Sequence, residues 1–414
     1  MADTVYDYCI VGAGLAGLHC ALRISSKYAK ANILLIDMYS MSGGRVSTHY
    51  EKGAAVSWEK GAGRIHASHR LIGKYVDSYG LTRIPISSNS EWLGKNHQKT
   101  PNYWPAFADS IYSSLSALPR TTLQTKTIRD ILGPEKTKQF LDYFPYNSEL
   151  TRLRADLALE SIDSELKGDQ GQSFYTVQGG LSEIIKKMEE TLKGRGIQFL
   201  FKHRLVSLNS SHDRPLRLEC IHAKKPIHIL CKRSILAIPS EGLKKIPLLR
   251  GLPILKSITM TPLLRIYGVF NEDKPWFSNI PRTVTDSPIK HFIPVGKHVT
   301  MLSYTDADDT KVWTDIRKRY GDAYLKRRII AESEKLFQQK IPLPHSFHVY
   351  YWNEGCSYWL PGLYDPVSYS KSIMQPLPMR FPNVYVCGES YSMKQAWMEG
   401  ALEHAEQMLN THIL

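Results

Sequence analysis

Val5-Tyr6-Asp7-Tyr8-Cys9-Ile10-Val11 runs straight into Gly12-Ala13-Gly14-Leu15-Ala16-Gly17. The first seven residues are rich in β-formers and read as a strand. After the glycines, Leu15, Leu18, Leu22 and Ala16, Ala21, Ile24 recur at helical spacing. Asn32 to Ile36 is a second apolar strand, and it ends at Asp37, 20 residues past Gly17. Strand, glycine turn, helix, strand and acid in this order form the dinucleotide-binding fingerprint. Gly12 permits the tight turn, Gly14 lets backbone approach a pyrophosphate, and Gly17 lets helix and strand pack closely. The helix N-terminus offers unpaired N–H groups and a partial positive charge to phosphates. Asp37 is placed to accept hydrogen bonds from ribose hydroxyls.

Outward from this unit, residues 91–174 space their apolar positions for helices, with Pro101, Pro105, Pro119, Pro134 and Pro145 between them. They read as a mainly helical insert. Leu181 to Leu192 is an amphipathic helix closed by Gly194 and Gly196. Strands are expected at 198–201, 205–208, 227–231, 234–238 and within 258–305, including Leu263 to Phe270. Val312 to Phe337 reads as a long charged helix. The chain closes with a strand at Val384 to Cys387 and a helix from Glu399 to Leu409.

The chain has 414 residues, enough for two or three domains. At 43% hydrophobic and 22% charged residues it reads as an ordinary globular protein, with no need of a disulfide framework. Its six cysteines form no CxxC pair, so no structural zinc or other metal site is expected, and Cys9 and Cys20 read as reduced core residues. No stretch approaches the ~20 apolar residues of a membrane span, and a strand starting at Val5 leaves no room for a signal peptide. A cytoplasmic protein is expected. Lys and Arg number 53 against 39 Asp and Glu, for a charge of +14. They are spread along the whole chain and read as a solvated surface, so a nucleic-acid partner is not expected.

Beyond Asp37 and Met38 comes Gly43-Gly44-Arg45, and the far end carries Gly388-Glu389 and Ala396-Trp397-Met398-Glu399-Gly400-Ala401. Between them lie Tyr175-Thr176-Val177-Gln178-Gly179-Gly180 and Leu205-Val206-Ser207-Leu208. These five segments, in this order, resemble the flavin-dependent amine oxidase family. The resemblance implies FAD held without a covalent bond. It places Gly12, Ala13, Gly14, Leu15, Ala16, Gly17, Gly44 and Arg45 at the phosphates, Asp37 and Met38 at the ribose, and Leu205 at the adenine. Gly61, Ala62, Gly63, Gly388, Glu389, Met398 and Ala401 would complete the cofactor site. The implied fold is α/β: a Rossmann-like FAD-binding domain interleaved with a mixed-sheet and helical substrate domain, in the topology shared with p-hydroxybenzoate hydroxylase. The expected boundaries are 1–85, 175–250 and 376–414 for the FAD domain, and 86–174 with 251–375 for the other.

Glu59-Lys60-Gly61-Ala62-Gly63-Arg64-Ile65, with His69 to Tyr75 and Tyr79-Gly80-Leu81, is closest in pattern to the L-amino acid oxidase branch. There the arginine grips the substrate carboxylate, which gives that role to Arg64. A guanidinium fork suits a carboxylate because two parallel hydrogen bonds form at once. Arg64 and Trp397 would also border the flavin, with Tyr358 the candidate second aromatic. Cys356 reads as a structural thiol rather than a flavin attachment point. His66 reads as structural. The implied reaction passes a hydride from a primary amine, an L-amino acid foremost, to the flavin. Molecular oxygen would accept the electrons, and keto acid, ammonia and hydrogen peroxide would be released.

Two departures stand out. Arg265 occupies the place of the family's usual lysine, and arginine does not give up its proton. Phe292 occupies the place of a tyrosine that faces the substrate carboxylate in that branch. The alternatives are a polyamine or monoamine oxidase, a flavin desaturase or isomerase, and a degenerate flavoprotein that binds an anionic partner. Oligomeric state stays open, a homodimer included.

Overall fold

The computed structural model describes residues 4–51, 56–87, 89–168, 174–211, 214–375 and 382–414. The expected boundary at 376 lies outside them. The strand Val5–Val11 is buried from Tyr8 onward and pairs in parallel with Ile33–Ile36 on one side and Lys225–Leu236 on the other. Gln198–Leu200 extends the sheet beyond Ile33–Ile36, and Val384–Val386 pairs in parallel with Lys225–Leu236. Arg214–His222 and Arg204–Ser211 add an antiparallel flank to complete seven strands. The expected strands 227–231 and 234–238 are one continuous strand. Arg214–His222, which was not foreseen, is its hairpin partner. The helices Leu15–Lys27, Ser182–Gly194 and Met398–His412 bury their apolar faces in a common core with this sheet. Buried all-apolar runs such as Ile33-Leu34-Leu35-Ile36 mark a sheet covered by other layers.

A second seven-stranded sheet runs Ser346–Trp359, Ile258–Val269, Val299–Asp306, His291–Pro294, Arg282–Val284, Ser90–Leu93 and Lys99–Pro101. The last two strands fall in the stretch expected to be helical. Gly94 N–H bonds Gln98 carbonyl at 3.0 Å and His97 takes a left-handed φ of 67°, so this segment turns as a hairpin. The remainder of that stretch is helical: Trp104–Leu115, Arg120–Thr125, Ile128–Leu141, Asn147–Thr151 and Ala155–Gly168. The helical stretch Thr310–Phe337, expected as one long helix, is broken at Gly321, whose φ of 79° is non-helical; Leu325, Ile329, Ile330 and Leu336 of its second part cover the sheet through Leu264, Ile266 and Phe292.

Two buried polar groups fasten the helical region. Arg154 is 1% exposed, makes a two-pronged pair with Asp156 at 2.7 Å on each prong, and donates to the Tyr364 carbonyl. Asp306, at the end of its strand, accepts from the N–H groups of Asn147 and Ser148 at 2.7 and 3.0 Å. Burial pushes its carboxyl up to about 6. An acid with a native pKa above its unfolded value of ~3.9 contributes stability that is complete below the unfolded value and lost as pH rises through the native one. The thermal midpoint of the wild type, relative to Asp306→Asn, should therefore fall between about pH 4 and 6 and then level off. A difference that does not change with pH would contradict this.

Candidate active site

The glycine turn is built as its sequence requires. A Cβ on Gly12 would sit 2.4 Å from the Ala237 carbonyl oxygen, and one on Gly17 would sit 1.8 Å from the Gly12 oxygen. At Gly14 the opposite holds: nothing lies within 4 Å of where a Cβ would stand. Gly14 opens the helix Leu15–Lys27 with no side chain capping its first turn. An uncapped helix N-terminus beside open space fits a pyrophosphate. Gly43 N–H bonds the Ala13 carbonyl, bringing Gly44 against the Gly14 Cα at 3.6 Å from its Cβ position.

Asp37 follows on the same sheet end. It is 7% exposed and accepts from Ala13 N–H at 2.7 Å and Tyr39 N–H at 2.8 Å. Burial raises its pKa, and these two donors oppose the rise. Each carboxylate oxygen keeps a lone pair for a ribose hydroxyl. Met38 is half exposed beside it. His203 N–H bonds the Asp37 carbonyl, so the strand that carries Leu205 starts at this acid. Its ladder to Arg214–His222 is irregular between Leu205 and Ser207, which frees backbone where adenine is expected.

Arg45 and Glu389, far apart in sequence, meet as an ion pair at 2.8 Å. Glu389 is buried and also accepts from the N–H groups of Ser357 and Ala396 and from Ser357 Oγ. Arg45 donates to the Gly355 carbonyl as well. The expected contacts of these two residues with cofactor therefore begin from a knot joining both chain ends to the strand Ser346–Trp359. Glu389→Ala should lower unfolding stability by roughly 3 kcal/mol, the low end for a broken buried pair because Arg45 keeps some solvent. Urea denaturation with excess FAD checks it, and a change below ~1 kcal/mol would contradict it.

Arg64 lies over the Phe174 ring at 4.0 Å and the Trp397 ring at 5.5 Å, and Nη2 donates to Tyr146 Oη at 3.4 Å. Phe174 and Trp397 stack at 6.0 Å and 9°, with His69 edge-on to Trp397 at 5.1 Å. Burial, then His66, Lys394 and Arg64, pull the His69 imidazole down to about 4, so it is neutral at pH 7. Met398 is buried at the start of the closing helix, whose Glu399 accepts from Leu71 and Ile72 N–H at 2.8 and 3.0 Å. Ala401 is partly buried one turn on.

The second sheet supplies the facing wall. Its register aligns Tyr350, Arg265, Tyr304 and His291 on four neighbouring strands. The Arg265 guanidinium lies 5.6 Å from the Tyr304 ring and donates to the Glu59 carbonyl at 3.1 Å, while its buried Nε has no hydrogen-bond partner among the described residues. It also borders Gly63, whose Cβ would stand 3.2 Å from it, while Gly61 packs on the Arg45 carbonyl and Ala62 N–H bonds that carbonyl. Tyr304 lies edge-on to Tyr146 at 5.7 Å, so Tyr146 and Tyr304 link Arg64 to Arg265. His291 Nδ1 is also buried without a hydrogen-bond partner, and burial with Arg282 and Arg64 nearby holds the ring neutral. Unpaired buried polar atoms are costly, and a bound group would satisfy these.

One sequence expectation needs correction. Phe292 is fully buried against Trp276 and Phe337, on the far face of the strand. His291, one residue earlier, takes the near face, because neighbouring strand residues point to opposite sides. Tyr358 is buried with its hydroxyl 3.6 Å from Cys356 Sγ, and Phe174 is a further aromatic, stacked on Trp397. Tyr146, Phe174, His291 and Tyr304 were not singled out in the sequence. Cys356 is buried, also touches Thr261 Oγ1, and burial pushes its thiol up to about 12. The thiolate is the reactive form, so this sulfur is inert. Acid denaturation should release all FAD into the supernatant, and flavin left on the precipitated protein would contradict this.

A glycine-rich βαβ unit, a bare helix end and an aromatic cleft with two guanidinium groups define a flavin-dependent oxidoreductase. The chain belongs to the flavin containing amine oxidoreductase family, which matches residues 15–408. Its cofactor is FAD. A mouse L-amino-acid oxidase is 33% identical over 96 residues, a span covering 23% of this chain and only 15% of that protein. Among solved structures, a putrescine oxidase double mutant superposes with a TM-score of 0.75 at 14% identity, covering 99% of both chains. A cyclohexylamine oxidase from Brevibacterium oxydans reaches 0.73 at 14% identity over 99% of this chain and 98% of its own. At such identities these likenesses concern the fold. They are in keeping with the expected interleaved α/β architecture. Among the described residues no helix is long and apolar enough to cross a membrane.

Proposed function

We infer that the protein oxidises L-α-amino acids at Cα, with Arg64 as the anchor of the substrate carboxylate. The observation that carries this reading is the Arg64 guanidinium, set against the Phe174 and Trp397 rings and hydrogen-bonded to Tyr146, which Tyr304 joins to Arg265. A cleft with two fixed positive charges suits an anionic substrate group. When bound, FAD would supply the two-electron acceptor for the hydride that leaves Cα. The turn at Gly12 to Gly17, Asp37 and Arg45 would hold its phosphates and ribose, and Leu205 its adenine.

The chain's own residues then set the substrate. Arg64 fixes the carboxylate with two hydrogen bonds, which sets the Cα–H direction. Trp397 and Phe174 exclude water on one side, and Tyr304 and Tyr146 on the other. The neighbouring guanidinium groups disfavour a charged ammonium, so the amine loses its proton more easily. Neutral His69 or His291 offers a lone pair for that proton. Arg265, with its unpartnered Nε, orients a water or the substrate, and it does not act as a base. The imine product hydrolyses to keto acid and ammonia, and molecular oxygen takes the electrons to give hydrogen peroxide. Six buried free thiols fit a reducing compartment, and this reading places the protein in the cytoplasm.

Turnover of L-amino acids should yield keto acid, ammonia and peroxide in equal amounts, with D-amino acids inactive. Equal rates on both enantiomers would contradict a carboxylate held in one orientation.

A further inference from the structure

We propose that His49, Glu51 and His348 form a binding site for one divalent transition-metal ion of the zinc class. The ligand atoms of the three residues all lie within 4.8 Å of one another. Both imidazole Nε2 atoms converge on a single carboxylate oxygen, Glu51 Oε2, at 2.9 Å from His49 and 3.2 Å from His348. Ligand atoms around a tetrahedral ion with bonds of ~2.0–2.1 Å stand about 3.3 Å apart, close to both histidine–carboxylate separations.

The three residues come from two separate parts of the fold. His49 lies on the strand Thr48–Tyr50, and Glu51 follows two positions on, on the same side. His348 lies near the start of the strand Ser346–Trp359. Each ring is held in place. His49 stacks on buried Trp58 at 4.4 Å, and His348 lies parallel to Tyr350 at 6.2 Å and 4°; Ser346 Oγ, 2.7 Å from His348 Nε2, would yield that nitrogen to the ion. Side-chain exposures of 26%, 17% and 23% leave a path for an ion and room for a water as fourth ligand. Two imidazoles and one carboxylate favour zinc, cobalt, nickel or copper over magnesium or calcium, which prefer all-oxygen sets. The expectation of no metal rested on cysteine spacing, which is blind to this set. A bound ion would tie the paired strands Thr48–Tyr50 and Ser57–Glu59 to the sheet. The Glu59 carbonyl holds both Arg265 and Tyr267, so the ion would stiffen the wall behind the cleft.

The test uses the full FAD-loaded chain, stripped with a chelator and dialysed against low-micromolar zinc chloride. One equivalent of zinc per chain is expected, lost in His49→Ala and His348→Ala and bound at least tenfold more weakly in Glu51→Gln. His228→Ala removes an exposed histidine elsewhere and should retain the metal. The buried cysteines do not compete. Cobalt added to the wild type should give the strong visible bands of a four-coordinate ion, a readout independent of whether any variant folds. Zinc should also raise the thermal midpoint of the wild type and leave that of His348→Ala unchanged. Zinc retention equal in wild type and His348→Ala, or only the weak cobalt spectrum of an aquo ion, would overturn the proposal and leave a hydrogen-bonded cluster of two histidines and a glutamate.

Discussion

Arg64→Ala should raise KM for L-amino acids roughly ten- to hundredfold, with a much smaller change in kcat. The figure follows from the ~1.5–3 kcal/mol of hydrogen bonds to a charged group, at about 1.4 kcal/mol per factor of ten. Arg64 is fixed from three sides, by Phe174, Trp397 and Tyr146, so its fork is set before substrate arrives. A pre-set donor pair strengthens binding because little side-chain freedom is lost when the carboxylate docks. Arg64→Lys keeps the charge and loses the planar fork, so it should recover only part of the affinity. Amines without a carboxylate should be oxidised equally well, or better, by Arg64→Ala. An unchanged KM for amino acids would remove the carboxylate role from Arg64. A loss shared equally by amino acids and simple amines would make it a structural residue of the aromatic wall.

The second large effect separates two glycines three residues apart. Gly17→Ala places a methyl 1.8 Å from the Gly12 carbonyl oxygen, which is backbone and cannot move aside. The first helix would have to lift from its strand, and the variant should fail to accumulate as folded protein. Gly14→Ala meets no protein atom, and its backbone at φ −75° suits alanine. This variant should fold, with an unchanged far-ultraviolet circular dichroism spectrum. Its methyl would occupy the space assigned to the pyrophosphate, at a cost of ~1–3 kcal/mol, so FAD affinity should fall roughly ten- to hundredfold. Flavin fluorescence titration measures it. Full FAD affinity in folded Gly14→Ala would show that the open space is not the phosphate seat.

The parts of this fold visible in sequence are the local ones. Val5 to Asp37 declares itself because its turn, its helix period and its strand runs are each set by neighbours in the chain. Arg64 was singled out for a related reason, as the G-x-x-R element that carries it is a contiguous pattern. The facing wall was not. Tyr350, Arg265, Tyr304 and His291 come together through the register of four strands, and register is decided by pairing across long loops. Phe292 in place of His291 is that difficulty in its smallest form, since one residue changes the face.

Anaerobic mixing of the purified yellow protein with L-amino acids, and separately with simple amines and polyamines, tests the central claim most directly. The account predicts bleaching of the flavin band by L-amino acids, fastest for those whose side chains suit an aromatic cleft, and far slower bleaching by either amine pool. Bleaching by amines alone would contradict the account and make the cleft an amine oxidase site in which Arg64 holds no substrate.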